Sequence, residues 1–228
     1  SLMSAEHEGD DITINWQYEL EEDFNYHEIT GLWNTTYSIE NNLEFELSSR
    51  HDEDRIQSVD INDNKSEHSE SVMSIHLHAG ANLISINVES EDTDISSVLS
   101  SLGNNITGAI GEGVAANNHP ELGWMGSLDE ITSCGAYWLI VNEEDILLVT
   151  GYPTDSTMPC ALHAGNNLIG YPYRYASSIE DALPEGIGCD ISGIIGEGVA
   201  ATCIDEFGWV GSLSSLEGSY GYWFNAVQ

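Results

Sequence analysis

The stretch AIGEGVAA, residues 109–116, occurs again 85 residues later as IIGEGVAA, residues 194–201. Three further stretches repeat at the same spacing: LHAGANLISI (77–86) as LHAGNNLIGY (162–171), GWMGSL (123–128) as GWVGSL (208–213), and YW (137–138) as YW (222–223). Four ordered matches at one spacing indicate a duplicated structural unit. We therefore expect two homologous tandem units, 74–158 (unit 1) and 159–228 (unit 2), related by a pseudo-twofold axis.

Each unit is predicted to be rich in β-strands, with one short helix. Apolar stretches bounded by glycines predict strands around 81–88, 106–116, 123–131 and 135–142 of unit 1 and at the matching positions of unit 2. The segments 92–103 and 175–186 predict one to two helical turns, with Asp or Ser at the N-cap and a glycine as the stop signal. Unit 1 carries an extra strand, DILLVTG (145–151).

Residues 1–73 differ in pattern from the two units. Four segments alternate polar with aromatic or β-branched residues, the period of half-buried antiparallel strands: DITINWQYEL (11–20), LWNTTYSIE (32–40), NLEFELSS (42–49) and RIQSVDI (55–61). We expect an N-terminal β-sandwich-like domain over 1–73, so that the whole chain belongs to the mostly β class.

The charge balance is strongly acidic, with 39 Asp and Glu against 4 Lys and Arg, a formal net charge of -35. Nucleic acid and anionic membrane surfaces are therefore excluded as partners by electrostatic repulsion. Such acidity favours solubility in salty water, or the binding of divalent cations by oxygen ligands. The sequence contains no run of 18 apolar residues, so no membrane-spanning segment is expected. The first residues, SLMSAEHEGDD (1–11), do not have the pattern of a signal peptide.

The four cysteines form no CxxC pair, which argues against a zinc or iron–sulfur site. Cys189 and Cys203 flank one predicted strand-turn unit and are placed to form a disulfide. Free buried thiols are an equally good interpretation.

Glu112 and Glu197 stand between glycines in the repeated GEG phrases and are candidate site residues. A pseudo-twofold axis would bring them together, and paired carboxylates hydrolyse glycans when their environments separate their pKa values. Glycines on both sides instead favour a chain reversal, with each carboxylate bound to solvent or backbone. The second interpretation needs no catalysis and is the one we adopt.

Trp124 and Trp209 are repeated aromatic residues at matching positions of the two units. They are candidate ligand-binding residues because indole faces suit sugar rings. Their strict repetition fits core packing better. His78 and His163 also occupy matching positions, where a hydrogen-bonded residue at a strand end is the simpler interpretation than a metal ligand.

The stretch DINDN (60–64) offers a candidate calcium site through the side chains of Asp60, Asn62, Asp63 and Asn64. Hard oxygen ligands at this density suit Ca²⁺. A polar turn that binds no ion is the default interpretation, calcium is the alternative, and no other cofactor is indicated.

At the repeat itself the chain resembles a known family. GNNLIGYP (165–172), IIGEGVAA, GWVGSL and GYW (221–223) are similar to a repeat of the form GWNLIGYP…GxW.GSL…GYW. That repeat occurs in bacterial surface and secreted proteins and in structural proteins of marine phages that infect cyanobacteria. Ala81 and Asn166 stand where the repeat usually has its first Trp.

The resemblance implies a non-enzymatic structural or adhesion role, in a phage virion (in its tail or fibres) or on a cell surface. The implied location is the virion or the extracellular surface. The implied partners are other virion or surface proteins, glycans, or further copies of the chain. The alternative is a carbohydrate-binding or carbohydrate-active protein that uses the aromatic residues with Glu112 and Glu197.

Overall fold

The computed structural model describes residues 71–154 and 158–227, and it also describes the backbone of six strands between residues 2 and 60. The predicted β-rich class is confirmed: antiparallel strands dominate, and the described residues include two short α-helices. Among the described residues, no helix is both long and apolar enough to cross a membrane.

Four N-terminal strands lie where the alternating pattern predicts them, and two more are present, one before the first expected segment and one between the first and the second. Together they are β1 (Leu2–Glu8), β2 (Asp11–Gln17), β3 (Phe24–Thr30), β4 (Thr35–Ser38), β5 (Asn42–Glu46) and β6 (His51–Asp60). Strands β1, β2 and β5 form one antiparallel sheet, and β4, β3 and β6 begin a second.

Unit 1 supplies three of the six strands of the second sheet and all five strands of a third. Its elements are β7 (Ser71–Leu77), β8 (Gly80–Ser85), β9 (Val88–Glu89), α1 (Ile95–Val98), a 3-10 turn (Ser100–Leu102), β10 (Ile106–Gly111), β11 (Val114–His119), β12 (Gly123–Gly126), β13 (Ala136–Val141) and β14 (Asp145–Pro153). The second sheet has the order β4-β3-β6-β7-β14-β9. Because β6 pairs with β7, this sheet contains strands from both sides of the expected domain boundary at residue 73. The third sheet has the order β12-β11-β10-β13-β8.

Unit 2 repeats the third sheet strand for strand. Its elements are β15 (Gly165–Gly170), β16 (Ser177–Ser178), α2 (Ile179–Ala182), a 3-10 turn (Gly188–Asp190), β17 (Ile191–Ile195), β18 (Ala200–Ile204), β19 (Gly208–Gly211), β20 (Ser215–Leu216) and β21 (Gly221–Ala226). Its five-stranded sheet has the order β15-β21-β17-β18-β19, in which each strand matches the unit 1 strand 85 residues before it.

The GEG phrase is the reversal of a hairpin, so the chain-reversal interpretation is confirmed. The expectation of one strand around 106–116 was wrong, because this stretch forms two strands, β10 and β11. β10 and β11 pair through Gly111 and Val114, which leaves Glu112 and Gly113 as the two loop residues. Gly113 has φ of +71° and its counterpart Gly198 has φ of +72°. This left-handed conformation favours glycine, so the second glycine of each phrase makes the turn.

Both short helices begin as predicted, but the second ends for another reason. The Asp94 side chain accepts a hydrogen bond from the Ser96 N–H, and the Ser178 side chain accepts one from the Asp181 N–H. Helix α2 ends at Ala182, ahead of the expected glycine. Leu183 is extended because the following proline disfavours the helical conformation in the residue before it.

Each unit has its own apolar core. In unit 1 the core lies between the third sheet, strands β7 and β14 of the second sheet, and the helical segment, and in unit 2 it lies between the sheet and the helical segment. In unit 1 the fully buried residues include Ile75, Ile84, Leu99, Ile106, Leu139 and Leu147. In unit 2 they include Ile179, Ile191, Ile194, Leu216 and Tyr222. The tyrosine of each repeated YW pair points into this core, whereas the tryptophan after it faces the opposite side of the sheet.

Candidate functional site

Each GEG glutamate binds the repeated histidine of the other unit. In the Glu112 contact, Oε1 lies 2.6 Å from Nε2 of His163. In the Glu197 contact, Oε1 lies 2.7 Å from Nε2 of His78. The two contacts are reciprocal because each partner in one contact has its counterpart 85 residues away in the other.

The second oxygen of each carboxylate binds the backbone of the other unit. The Leu168 N–H, in β15, donates to Oε2 of Glu112 at 2.6 Å, and the Leu83 N–H, in β8, donates to Oε2 of Glu197 at 2.9 Å. Both strands are edges of their sheets. Each glutamate therefore satisfies an edge-strand donor that no sheet neighbour takes up. We call these two contacts, Glu112 with His163 and Leu168 and Glu197 with His78 and Leu83, the cross-unit clamps.

The histidines are held by a local turn that is the same in both units. The His78 N–H donates to the Asn82 side chain, which donates back to the His78 carbonyl, and His163 and Asn167 repeat this exchange. Asn82 is fully buried. A buried amide with its donors and acceptor engaged fixes the loop, and the loop aims the imidazole at the opposite glutamate.

Both ring nitrogens of each histidine face oxygen acceptors. In His163, Nδ1 lies 2.9 Å from the Ala164 carbonyl while Nε2 faces Glu112, and in His78, Nδ1 lies 2.9 Å from the Ala79 carbonyl while Nε2 faces Glu197. A neutral imidazole has one N–H and serves one such acceptor. The geometry therefore favours the imidazolium form, which donates to both.

Electrostatics in the Glu112–His163 clamp agree with this charge state. The Ala164 carbonyl and then the Glu112 carboxylate raise the pKa of His163 above its ordinary value. Partial burial raises the pKa of Glu112, but hydrogen bonds from the Leu168 N–H and the His163 ring outweigh that effect, so its pKa lies below the ordinary value. The Glu112 side chain is 35% exposed and that of Glu197 is 24% exposed.

Backbone hydrogen bonds between the units follow the same reciprocal pattern. The Ser85 N–H donates to the Ser219 carbonyl at 3.0 Å, and the Gly170 N–H donates to the Cys134 carbonyl at 3.0 Å. Isolated bridges join Ile84 with Tyr220 and Ile169 with Gly135. The end of each edge strand is thereby paired with the chain that enters β13 or β21 of the other unit.

A small apolar cluster fills the junction between the units. Leu83, Ala136 and Leu168 are buried in it, and Trp138 and Trp223 pack against it from the outer faces of their sheets. Two of these five residues come from unit 2, so the cluster buries apolar surface that neither sheet covers alone.

All four cysteines form disulfides, which removes the free-thiol interpretation. Cys189 and Cys203 are bonded within unit 2, as one of the two interpretations had it. Cys134 is bonded to Cys160, and this second disulfide ties the loop before β13 to the segment of unit 2 that precedes β15. Sequence reasoning did not identify that pair because four cysteines allow three pairings.

Trp124 and Trp209 lie apart from the cross-unit clamps. Each is half-buried and packs against the core of its own unit, through β12 and β19 respectively. The structure thus brings each glutamate together with a histidine of the other unit, rather than with these tryptophans.

The calcium candidate falls largely outside the described residues. Asp60 is the last residue of β6, where only the backbone is described, and Asn62, Asp63 and Asn64 lie outside the described residues. Calcium binding there stays a prediction. Within 71–154 and 158–227, no group of three His, Cys, Asp or Glu side chains is placed to hold a metal ion.

Sequence reasoning missed the pairing of His78 with Glu197 and of His163 with Glu112, although it had identified all four residues. A usable signal exists: an acid and a base are each duplicated at one spacing, which is the pattern expected of reciprocal contacts between two copies. The chain matches no known protein-family model and no curated protein sequence.

Proposed function

We propose that this protein is a non-enzymatic structural or adhesion module, either a tail- or fibre-associated component of a phage virion or a surface protein. The observation that carries the proposal is the pair of cross-unit clamps. The two repeated carboxylates join the units. In each of them, one oxygen contacts a histidine ring and the other accepts a hydrogen bond from a backbone N–H. That use suits a rigid building block.

The same contacts bear on the glycan-hydrolase alternative. Acid–base hydrolysis needs one carboxylate that keeps its proton and one that is ionised, both open to the substrate. The pKa of Glu112 is lowered, and its partners are protein groups. A glutamate in this setting is a poor proton donor near neutral pH, which supports a structural role.

Two further features support a location on a virion or an extracellular surface. Disulfides persist mainly in oxidising surroundings, and this chain has two. The net charge of -35 keeps copies apart in dilute salt and is screened in salty water. Other virion or surface proteins are the partners that we propose.

We also propose that the two units are related by a pseudo-twofold axis. Support comes from the matching strand orders and from the three kinds of reciprocal contact: clamps, backbone hydrogen bonds and isolated bridges. A twofold arrangement makes every contact between two copies occur twice.

A hydrolysis screen with a matched double variant tests the non-enzymatic role. Purified protein and the double variant Glu112→Gln, Glu197→Gln are incubated with a panel of glycans, and released reducing ends are measured. We expect no turnover by either protein and the same circular dichroism spectrum for both. Turnover by the wild type that the folded double variant has lost would overturn the proposal.

A further inference from the structure

A cleft of about 630 Å³ lies where the end of β14 faces the segment that follows β15. Asn87, Pro153 and Thr154 form its unit 1 wall, and 171–177 with Asp181 forms most of its unit 2 wall. The cleft is separate from the cross-unit clamps, since none of the clamp residues lines it. Its volume suits a ligand of a few rings.

Three tyrosines from one short stretch, YPYRY (171–175), dominate the unit 2 wall. The rings of Tyr171 and Tyr173 lie 5.3 Å apart between centroids and are tilted by 51°. Tyr173 is 43% exposed and Tyr175 is 65% exposed. The guanidinium of Arg174 lies 5.9 Å from the centre of the Tyr175 ring and helps to orient it.

The repeat fold does not require the rings of Tyr173 and Tyr175, whereas Tyr171 is buried in the unit 2 core. Unit 1 has INVES (86–90) at the matching positions and forms the same sheet. There Val88 is buried because β9 pairs with β14, whereas its counterpart Tyr173 is open to the cleft. Large rings kept at an exposed position that folding leaves open indicate a binding surface.

The unit 1 wall of the cleft carries two polar side chains, those of Asn87 and Thr154. Asn87 is only 6% exposed, and its Oδ1 has no hydrogen-bond partner among the described residues. The buried Oγ1 of Thr154 is in the same state. The Thr154 N–H donates to the Asn87 carbonyl at 3.1 Å, so the two residues are joined through their backbones. Buried polar groups without protein partners are a sign of a ligand or water that completes them.

The charge of the cleft points to an uncharged ligand. Arg174 is the only Lys or Arg after residue 65, and it shares the cleft with the carboxylate of Asp181. The rest of the chain repels anions strongly, because its net charge is -35. A neutral ligand with many hydroxyls avoids that repulsion and still finds donors and acceptors here.

We propose that this cleft binds a neutral saccharide. The faces of Tyr173 and Tyr175 pack against the C–H faces of its rings, and Asn87, Thr154 and Asp181 hydrogen-bond with its hydroxyls. The site uses neither Glu112 nor Glu197 and neither Trp124 nor Trp209. It goes beyond the proposed structural role and does not depend on it.

Binding is tested with the whole chain. A glycan array of neutral and acidic saccharides selects a ligand, and isothermal titration calorimetry then measures its dissociation constant. Tyr173→Ala and Tyr175→Ala are each expected to weaken binding by about tenfold or more. Thr154→Val keeps the side-chain shape, removes the hydroxyl and is expected to weaken binding by a smaller factor. Tyr152→Ala is the matched control, since Tyr152 is 44% exposed on β14 but does not line the cleft.

Each outcome decides for or against the proposal. Loss of binding in the cleft variants, with unchanged melting temperatures and an unchanged Tyr152→Ala control, supports it. No binding of any neutral saccharide at millimolar concentration overturns it. Equal affinities for Tyr175→Ala and Tyr152→Ala also overturn it. Binding restricted to acidic glycans and dependent on Arg174 overturns the choice of a neutral ligand.

Discussion

Glu112 and His163 are joined at 2.6 Å although they belong to different copies of the repeat, and Glu197 and His78 make the same contact in the reverse direction. After residue 65 the chain has one Lys or Arg, so histidine is its main source of positive charge there. An imidazolium in each clamp places that charge where two acidic hairpins approach edge strands. The units are therefore joined by groups whose charge depends on pH.

The clamps predict that loss of either carboxylate charge destabilises the protein. Glu112→Gln and Glu197→Gln each keep an oxygen for the backbone N–H but weaken two charge-assisted hydrogen bonds. We expect the free energy of unfolding to fall by about 1 kcal/mol for each variant. Urea denaturation followed by tryptophan fluorescence measures this change.

Glu185→Gln is the matched control for those variants. Glu185 is exposed in the turn after α2, so its replacement reports only the general relief of charge repulsion in an acidic chain. We expect its unfolding free energy to change by less than about 0.5 kcal/mol. If the clamp variants match Glu185→Gln, the glutamates do not hold the units together.

A second prediction concerns pH. The pKa of His163 is raised on folding, so its contribution to stability is complete below the ordinary value of 6.5 and is lost as pH rises through the folded pKa. The pKa of Glu112 is lowered, so its contribution is complete above 4.5 and is lost as pH falls through the folded pKa. The Glu112–His163 clamp is therefore strongest between about 4.5 and 6.5.

NMR titration of the His163 ring protons checks the direction of the His163 pKa shift. In the wild type we expect a midpoint above that of an unperturbed histidine, and in Glu112→Gln a lower midpoint than in the wild type. Glu185→Gln should leave the midpoint unchanged. A His163 midpoint that is the same in wild type and Glu112→Gln would show that the carboxylate does not stabilise the imidazolium.

Local features were predictable from the sequence because short-range chemistry determines them. The side-chain caps at Asp94 and Ser178, the extra strand β14 and the turn glycine Gly113 all follow from neighbours along the chain. The end of α2 was misplaced only because the effect of Pro184 on the residue before it was overlooked.

The clamps themselves were not predictable in the same way. Periodicity tells which face of a strand is buried, but it does not tell which hairpin of one unit reaches which edge of the other. His163 and Glu112 are 51 residues apart and meet only because the two sheets dock by their edge strands. The Cys134–Cys160 pairing depends on the same docking.

Because the backbones of the two units approach closely, replacing either of two glycines by alanine is predicted to destabilise the protein. A Cβ at Gly221 would lie 2.5 Å from the Ala136 Cβ, and one at Gly170 would lie 2.6 Å from the Gly135 carbonyl oxygen. We expect Gly170→Ala and Gly221→Ala each to lower the unfolding free energy by about 1 to 3 kcal/mol, since the units must move apart. Thermal denaturation by circular dichroism measures the loss.

Gly193→Ala is the control for this steric argument. Gly193 also lies in a strand, but its added Cβ would be no closer than 3.5 Å to its nearest neighbour, the Ala201 carbonyl oxygen. Alanine is then accommodated, and we expect a change within about 1 kcal/mol. Equal destabilisation at positions 170, 193 and 221 would mean that the cost arises in the strands and not between the units.

The two disulfides are predicted to contribute separately to stability. Cys134 and Cys160 are 26 residues apart, and Cys189 and Cys203 are 14 apart. By restricting the unfolded chain, the two cross-links are expected to stabilise the fold by about 3.5 and about 3 kcal/mol respectively.

Replacing both cysteines of one pair by serine should lower the unfolding free energy by that amount. A reducing agent should lower the unfolding free energy of the wild type to that of a variant without either pair. Urea denaturation of the wild type, the two double variants and the variant without either pair, with and without reducing agent, measures both effects. If the reducing agent leaves the wild-type midpoint unchanged while the thiols titrate as free, the pairs do not form. If Cys134→Ser, Cys160→Ser alone has no effect, the segment before β15 is already held by the cross-unit clamps and the disulfide adds no constraint.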